Sequence, residues 1–152
     1  MYGYCPNWAL SWEYRKKVIL DEITMYGADL ITLQEVEFDQ FMTFFQPELA
    51  RIGYEGLFRP KTRAKTMNEN ERKQVDSCAI FFKASKFQLV KEHVIEFSPL
   101  AMAQGANRGS EVMINRVMTK DNIALAALLE TKESVYENAS NEFVSSNFPA
   151  KI

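Results

Sequence analysis

The sequence predicts an α/β fold, and two observations carry that reading. An amphipathic segment from Trp12 to Tyr26 runs almost directly into a short apolar segment from Asp29 to Val36, which is the order of half an αβ unit. The second half then alternates strand-like runs, Cys78 to Phe82, Phe87 to Phe97, Val112 to Met118 and Ile123 to Leu129, with turn-forming residues. With 152 residues, 47% hydrophobic and 25% charged, the chain suits a single globular unit with one core of ordinary size.

The first helix is expected over Trp12 to Tyr26. Trp12, Val18, Ile19 and Ile23 fall broadly on one face, and Glu13, Arg15, Lys16, Lys17 and Glu22 mostly on the other. Ser11 is placed to cap it and Gly27 to stop it. Asp29 to Val36 reads as a buried strand that ends in the polar pair Gln34-Glu35. Helical spacing returns from Asp39 to Ile52 through Phe41, Phe44, Phe45 and Leu49, Gly53 ends it, and Tyr54 to Phe58 forms a short strand. Arg59 to Val75 is polar and basic and is expected to be a loop with at most one helical turn.

Lys83-Ala84-Ser85-Lys86 has the length of a hairpin connection, and Thr119 to Asn122 has the same turn chemistry. Pro99 to Ser110 holds two glycines and few apolar anchors, so a surface loop is expected. From Thr131 the chain turns rich in Glu, Ser and Asn, giving a division into residues 1–130 as the folded part and 131–152 as a loosely ordered polar tail.

A net charge of −2 gives no global basic signal, so any nucleic-acid contact must come from a local patch. The two cysteines, Cys5 and Cys78, have neither CxxC spacing nor the density of a disulfide scaffold. No stretch approaches the roughly 20 apolar residues of a membrane span, and the start lacks a basic segment followed by an apolar core. A reducing, intracellular setting without a membrane partner is expected. The seven Met and eleven Phe read as core filler.

Chemistry concentrates at Ile31-Thr32-Leu33-Gln34-Glu35-Val36-Glu37, an apolar run that delivers Glu35 to the end of a strand. A carboxylate so placed can hold a hard divalent cation such as Mg2+. The basic stretch Arg59 to Lys73 can steer phosphate, although Asn68, Glu69, Asn70 and Glu71 dilute it and no aromatic is interleaved for base stacking. Asp76 opens a strand and is a second carboxylate of interest. His93 is the one histidine and reads as a half-buried sheet residue without a catalytic part.

The Leu33-Gln34-Glu35-Val36 segment resembles the signature of the endonuclease/exonuclease/phosphatase superfamily. The similarity extends through Tyr2-Gly3-Tyr4-Cys5-Pro6, Trp8-Ala9-Leu10, Trp12-Glu13-Tyr14-Arg15, Pro60-Lys61, Arg63-Ala64-Lys65, Glu71-Arg72-Lys73, Val75-Asp76, Cys78 to Lys83 and Asn115 to Asn122. Together these resemble the nuclease domain of carbon catabolite repressor type deadenylases, from Tyr2 to about Leu129. The resemblance implies a partial α/β sandwich with a mixed, mostly antiparallel sheet and flanking helices. It also implies a Mg2+-dependent 3'-to-5' exoribonuclease that removes adenylates from messenger RNA and releases AMP.

By that resemblance Glu35 is the Mg2+ ligand, catalytic and in contact with the scissile phosphate, and Glu71 contacts the substrate. Asn115 and Arg116 would support the centre from their strand. The family follows Asp76 with glycine where this chain has Ser77. Implied partners are poly(A) RNA and, for a full-length protein, the other subunits of a deadenylase complex, without DNA; the implied location is the cytoplasm, with the nucleus second.

The resemblance also calls for a first-strand asparagine, a histidine-tryptophan strand, an Asp-x-Asn motif, a further aspartate and a final histidine, none of which can be placed here. The expectation is therefore the N-terminal half of a nuclease domain, inactive alone, since one carboxylate without partners lowers a phosphodiester barrier little. Two other readings stay open: a non-catalytic RNA- or protein-binding module, and a related nucleotide phosphatase sharing Glu35.

Overall fold

The computed structural model describes residues 3–105, 116 and 120–133. After a short helix, α1 (Asn7–Leu10), comes α2 (Trp12–Tyr26), with the bounds its spacing predicts. Gly27 ends it in the left-handed region at φ 57°, where a side chain would be strained. Ser11 makes no side-chain cap. The inward stripe differs by one position from the expected one: Leu20 packs on the core with Trp12, Ile19 and Ile23, whereas Val18 is 46% exposed.

β1 (Leu30–Glu37) leads into one continuous helical stretch: α3 (Phe38–Gln40), a π turn over Phe41–Phe45, and α4 (Gln46–Arg51). Pro47 lacks the N–H that the regular ladder needs, and the wide turn lies immediately before it. Phe41, Phe45 and Leu49 recur every four residues on the buried face, as the spacing implies. Trp12 ties α2 to this stretch by donating from its indole Nε1 to Gln40 Oε1 at 2.7 Å.

β2 (Tyr54–Pro60) is followed by a 3-10 turn (Thr62–Lys65), α5 (Glu69–Lys73) and β3 (Asp76–Lys83). The segment from Arg59 to Val75 is thus more ordered than a loop. β1, β3 and β2 form one antiparallel sheet in that order, with Ile31 opposite Phe81 and Gly56 opposite Phe81 from the other side. Its helix-facing side carries the core of Ile31, Val36, Phe41, Phe45, Leu49, Phe58, Ala79 and Phe81. Ser77 lies on that side, 1% exposed, and its hydroxyl has no hydrogen-bond partner among the described residues.

The turn at Lys83 to Lys86 closes through the Lys86 N–H to the Lys83 carbonyl at 3.0 Å, yet it does not make a hairpin. β4 (Phe87–Glu96) leaves the first sheet and pairs with β5 (Ile123–Thr131) in a second antiparallel sheet, which lies against β3 and β2. Hairpin length sets how the chain turns, not which edge the next strand meets. Asp29 fastens this corner, accepting from Lys86 Nζ at 2.7 Å with Lys83 Nζ at 3.3 Å; the Lys86 hydrogen bond leads in holding its carboxyl below the ordinary value.

Where a loop was expected from Pro99, the structure has α6 (Phe97–Gly105). Pro99 falls in its first turn, where a missing N–H costs no helical bond. The expected strand from Val112 to Met118 and the polar tail lie outside the described residues, except Arg116, which is exposed, and the first residues after Thr131.

Candidate active site

β1 is regular only as far as Leu33. Its register with β3 passes from Leu33 opposite Ala79 to Val36 opposite Ser77, so one extra residue is accommodated between Leu33 and Val36. Glu35 sits in this bulge at φ 56°, the one described non-glycine residue with positive φ. Such a backbone costs about 1–3 kcal/mol and persists where surrounding structure over-determines it. Here the regular pairs on both sides do so, and the bulge turns Glu35 out of the ladder. Its carboxylate is exposed and has no hydrogen bond or ion pair among the described residues.

Glu35 borders two hollows. The larger, of about 560 Å³, lies between α2 and β1 and is lined by Trp12, Arg15, Gln34, Glu35, Glu37 and Gln40 among others. The smaller, of about 250 Å³, takes Gln34 and Glu35 together with Lys61, Cys78 and Asn122. An unpaired carboxylate beside amide oxygens is the donor chemistry a hard cation selects. Mg2+ commonly uses one or two protein carboxylates and keeps the rest of its shell for water and phosphate, so Glu35 fits such an ion. Among the described residues no three His, Cys, Asp or Glu side chains gather as a complete metal cluster.

Asp76 stands opposite Glu37 in the register and is the hub of a charge network. Lys61 Nζ donates to its Oδ2 at 2.5 Å and Arg63 Nη2 to its Oδ1 at 2.7 Å, while Arg63 Nη1 reaches Asp121 Oδ2 at 2.8 Å. Burial pushes the Asp76 carboxyl up, but the hydrogen bonds and charges of Lys61 and Arg63 outweigh it and leave the group below its ordinary value of 3.8. As pH falls, the unfolded chain therefore takes the proton first. The stabilisation is complete above the ordinary value and is lost as pH drops through the lower, folded one. Asp76→Asn is expected to cost about 1–2 kcal/mol at pH 7. Thermal melts across a pH series should show that difference from wild type shrinking below about pH 4.

The same network changes the reading of the basic stretch. Arg59 pairs with Glu92 across the two sheets, Lys65 with Glu96, and Lys61 and Arg63 with Asp76 and Asp121. Arg72 donates instead to the carbonyls of Ala64 and Met67. Most of the positive charge expected to meet phosphate is already spent inside the molecule. Lys73 has no such partner among the described residues but borders neither hollow described above.

Glu71 is likewise engaged. It closes a capping box at the start of α5: Asn68 Oδ1 accepts from the Asn70 and Glu71 N–H groups at 3.0 Å each, and Glu71 Oε2 accepts from the Asn68 N–H at 3.2 Å. It lines neither hollow with Glu35. His93 is on β4, exposed rather than half-buried, and away from both hollows. Asn115 lies outside the described residues, and Arg116 is exposed.

Sequence reasoning placed Gln34 beside Glu35 but missed Arg15 and Gln40 as neighbours of the site. Their signal was weak: Trp12 and Arg15 share a helix face at i and i+3, but a charged residue beside an apolar stripe reads as solvated.

Comparison with known proteins identifies the family. The model of the Endonuclease/Exonuclease/phosphatase family matches residues 2–134. "CCR4-NOT transcription complex subunit 6-like" of Danio rerio is 58% identical over 136 residues, 90% of this chain and 24% of that protein. "CCR4-Not complex 3'-5'-exoribonuclease subunit Ccr4" of Schizosaccharomyces pombe is 50% identical over 136 residues, 88% of this chain and 20% of that protein. The chain thus spans a quarter or less of the length of these curated relatives.

Among solved structures, the human Nocturnin catalytic domain superposes with a TM-score of 0.61 at 36% identity, over 83% of this chain and 40% of that one. ANGEL2, a 2',3'-cyclic phosphatase, superposes with a TM-score of 0.65 at 28% identity, over 88% and 32%. The resemblance carried by Leu33 to Val36 and its companion motifs is the one these matches find, and the chain belongs to the endonuclease/exonuclease/phosphatase family.

Proposed function

We propose that this chain carries the cation-binding carboxylate of a Mg2+-dependent 3'-to-5' exoribonuclease acting on poly(A) RNA. The observation that carries the reading is Glu35, unpaired and exposed on a strained bulge between two hollows. The relatives named exoribonuclease subunits supply the reaction class. A bound divalent cation there supplies Lewis acidity toward a phosphoryl oxygen and acidifies nearby water. Glu35 would be the residue that holds such an ion. Glu71 contacts the substrate through the carboxylate oxygen that the Asn68 N–H leaves free.

The further groups that would orient water and leaving oxygen are not found beside Glu35 among the described residues, so the chain by itself is expected to bind RNA without turning it over. For a full-length protein the partners would be the other subunits of a deadenylase complex, in the cytoplasm with the nucleus second. A 5'-labelled RNA with an adenylate tail tests this. The folded chain should bind it better with Mg2+ than without, Glu35→Gln should abolish that difference, and no ladder of shortened tails should form. A ladder needing Mg2+ and Glu35 would keep the enzyme and reject the incompleteness. Binding indifferent to both would leave a non-catalytic module.

The likeness to ANGEL2 favours one second reading, a phosphatase for nucleotide ends. RNA ending in a 2',3'-cyclic phosphate, offered beside the adenylate tail, separates the two.

A further inference from the structure

Of the arginines in the described residues, Arg51, Arg59, Arg63 and Arg72 are engaged by carboxylates or carbonyls, and Arg116 is exposed and lines neither hollow beside Glu35. Arg15 is different. It lines the larger hollow beside Glu35, and its guanidinium has no ion pair or hydrogen bond among the described residues. The guanidinium lies over the Trp12 ring, with Cζ 6.0 Å from the ring centroid. That face contact holds the planar group without consuming any of its five N–H donors.

Its place on the helix is also unfavourable for a purely structural cation. Arg15 is in the first turn of α2, where the helix already presents partial positive charge, so guanidinium and helix end reinforce one another toward an anion. Glu35 and Arg15 therefore offer one hollow a site for a cation and a site for an anion. A phosphodiester has two non-bridging oxygens, and a guanidinium N–H can donate to either of them.

We propose that Arg15, and not the basic stretch from Arg59 to Lys73, is the phosphate ligand of the Glu35 hollow. Its guanidinium takes a backbone oxygen of single-stranded RNA. The proposal rests on the reading of the hollow as an RNA site but not on the cation, because an arginine–phosphate bond forms without metal.

The test is fluorescence anisotropy of a labelled oligoadenylate with the full chain, in EDTA and then in Mg2+, across a salt series. In EDTA, Arg15→Ala should weaken binding about tenfold and reduce the log–log salt slope by about 1. Arg15→Lys should restore part of the affinity, and Lys65→Ala, which removes an exposed charge of the basic stretch, should change little. Far-ultraviolet circular dichroism and the melting temperature verify that each variant folds.

An unchanged affinity and salt slope in Arg15→Ala would overturn the proposal, as would an equal loss in Lys65→Ala. So would a lower melting temperature with unchanged RNA affinity, which would make the role of Arg15 structural only. Loss of the Mg2+ effect with the Arg15 effect intact in EDTA would refute the cation role of Glu35 and leave this proposal standing.

Discussion

Phe81→Ala is expected to remove about 3–5 kcal/mol of folding stability, against a typical total of about 5–15 kcal/mol. The ring is fully buried at the centre of the first sheet, with Phe41 stacked 5.4 Å away and Ala79 on the same face. No neighbour can follow it inward, because the strands on both sides are pinned by their ladders with β3. The opposite edge of the ring explains Gly56. A Cβ there would stand 2.6 Å from Phe81 Cε1 and 3.2 Å from Phe41 Cζ, both parts of buried rings. Gly56→Ala should therefore cost about 1–3 kcal/mol through overpacking.

Because both substitutions act on one volume, they should couple. Phe81→Leu withdraws the ring edge, so adding Gly56→Ala to it should cost measurably less than in wild type. Urea unfolding of the four proteins checks this, and additivity within about 0.3 kcal/mol would mean that the two residues do not compete for the same space.

The second large effect is at Glu35, where stability and binding should move in opposite directions. Glu35→Gly relieves a positive φ that a side chain tolerates poorly and should raise stability by about 1 kcal/mol. Glu35→Gln keeps side-chain size and backbone strain and should leave the melting temperature nearly unchanged. Both remove the only ionised oxygens of the bulge and should weaken divalent-cation binding by about 100-fold. A structural Glu35 would give the reverse: loss of stability in both variants and no change in cation affinity.

Local pattern made the first third of the fold legible. The helix from Trp12 to Tyr26, its Gly27 stop and the strand that delivers Glu35 all follow from short-range spacing. The bulge does not, because its positive-φ position is filled by Glu35 rather than by a glycine that would have marked it. α6 was hidden by Pro99, which usually signals a break but is harmless in a first turn. The second sheet was hidden by a connection of hairpin length whose strands pair elsewhere.

At the site, charge counting identified the basic stretch but not its neutralisation. Its carboxylates arrive from distant parts of the chain: Asp121 lies 58 positions from Arg63, and Glu92 33 positions from Arg59. Only the packed sheets bring them together. Arg15 was missed for the complementary reason: the sequence shows a charge on a helix and cannot show that nothing pairs with it.

Electron paramagnetic resonance of free Mn2+, titrated with the folded chain and with Glu35→Gln, measures whether Glu35 holds a divalent cation. One site on the wild-type chain should deplete the free-ion signal and should bind about 100-fold more weakly in the variant. Equal binding by the two proteins, at any affinity, would contradict that role.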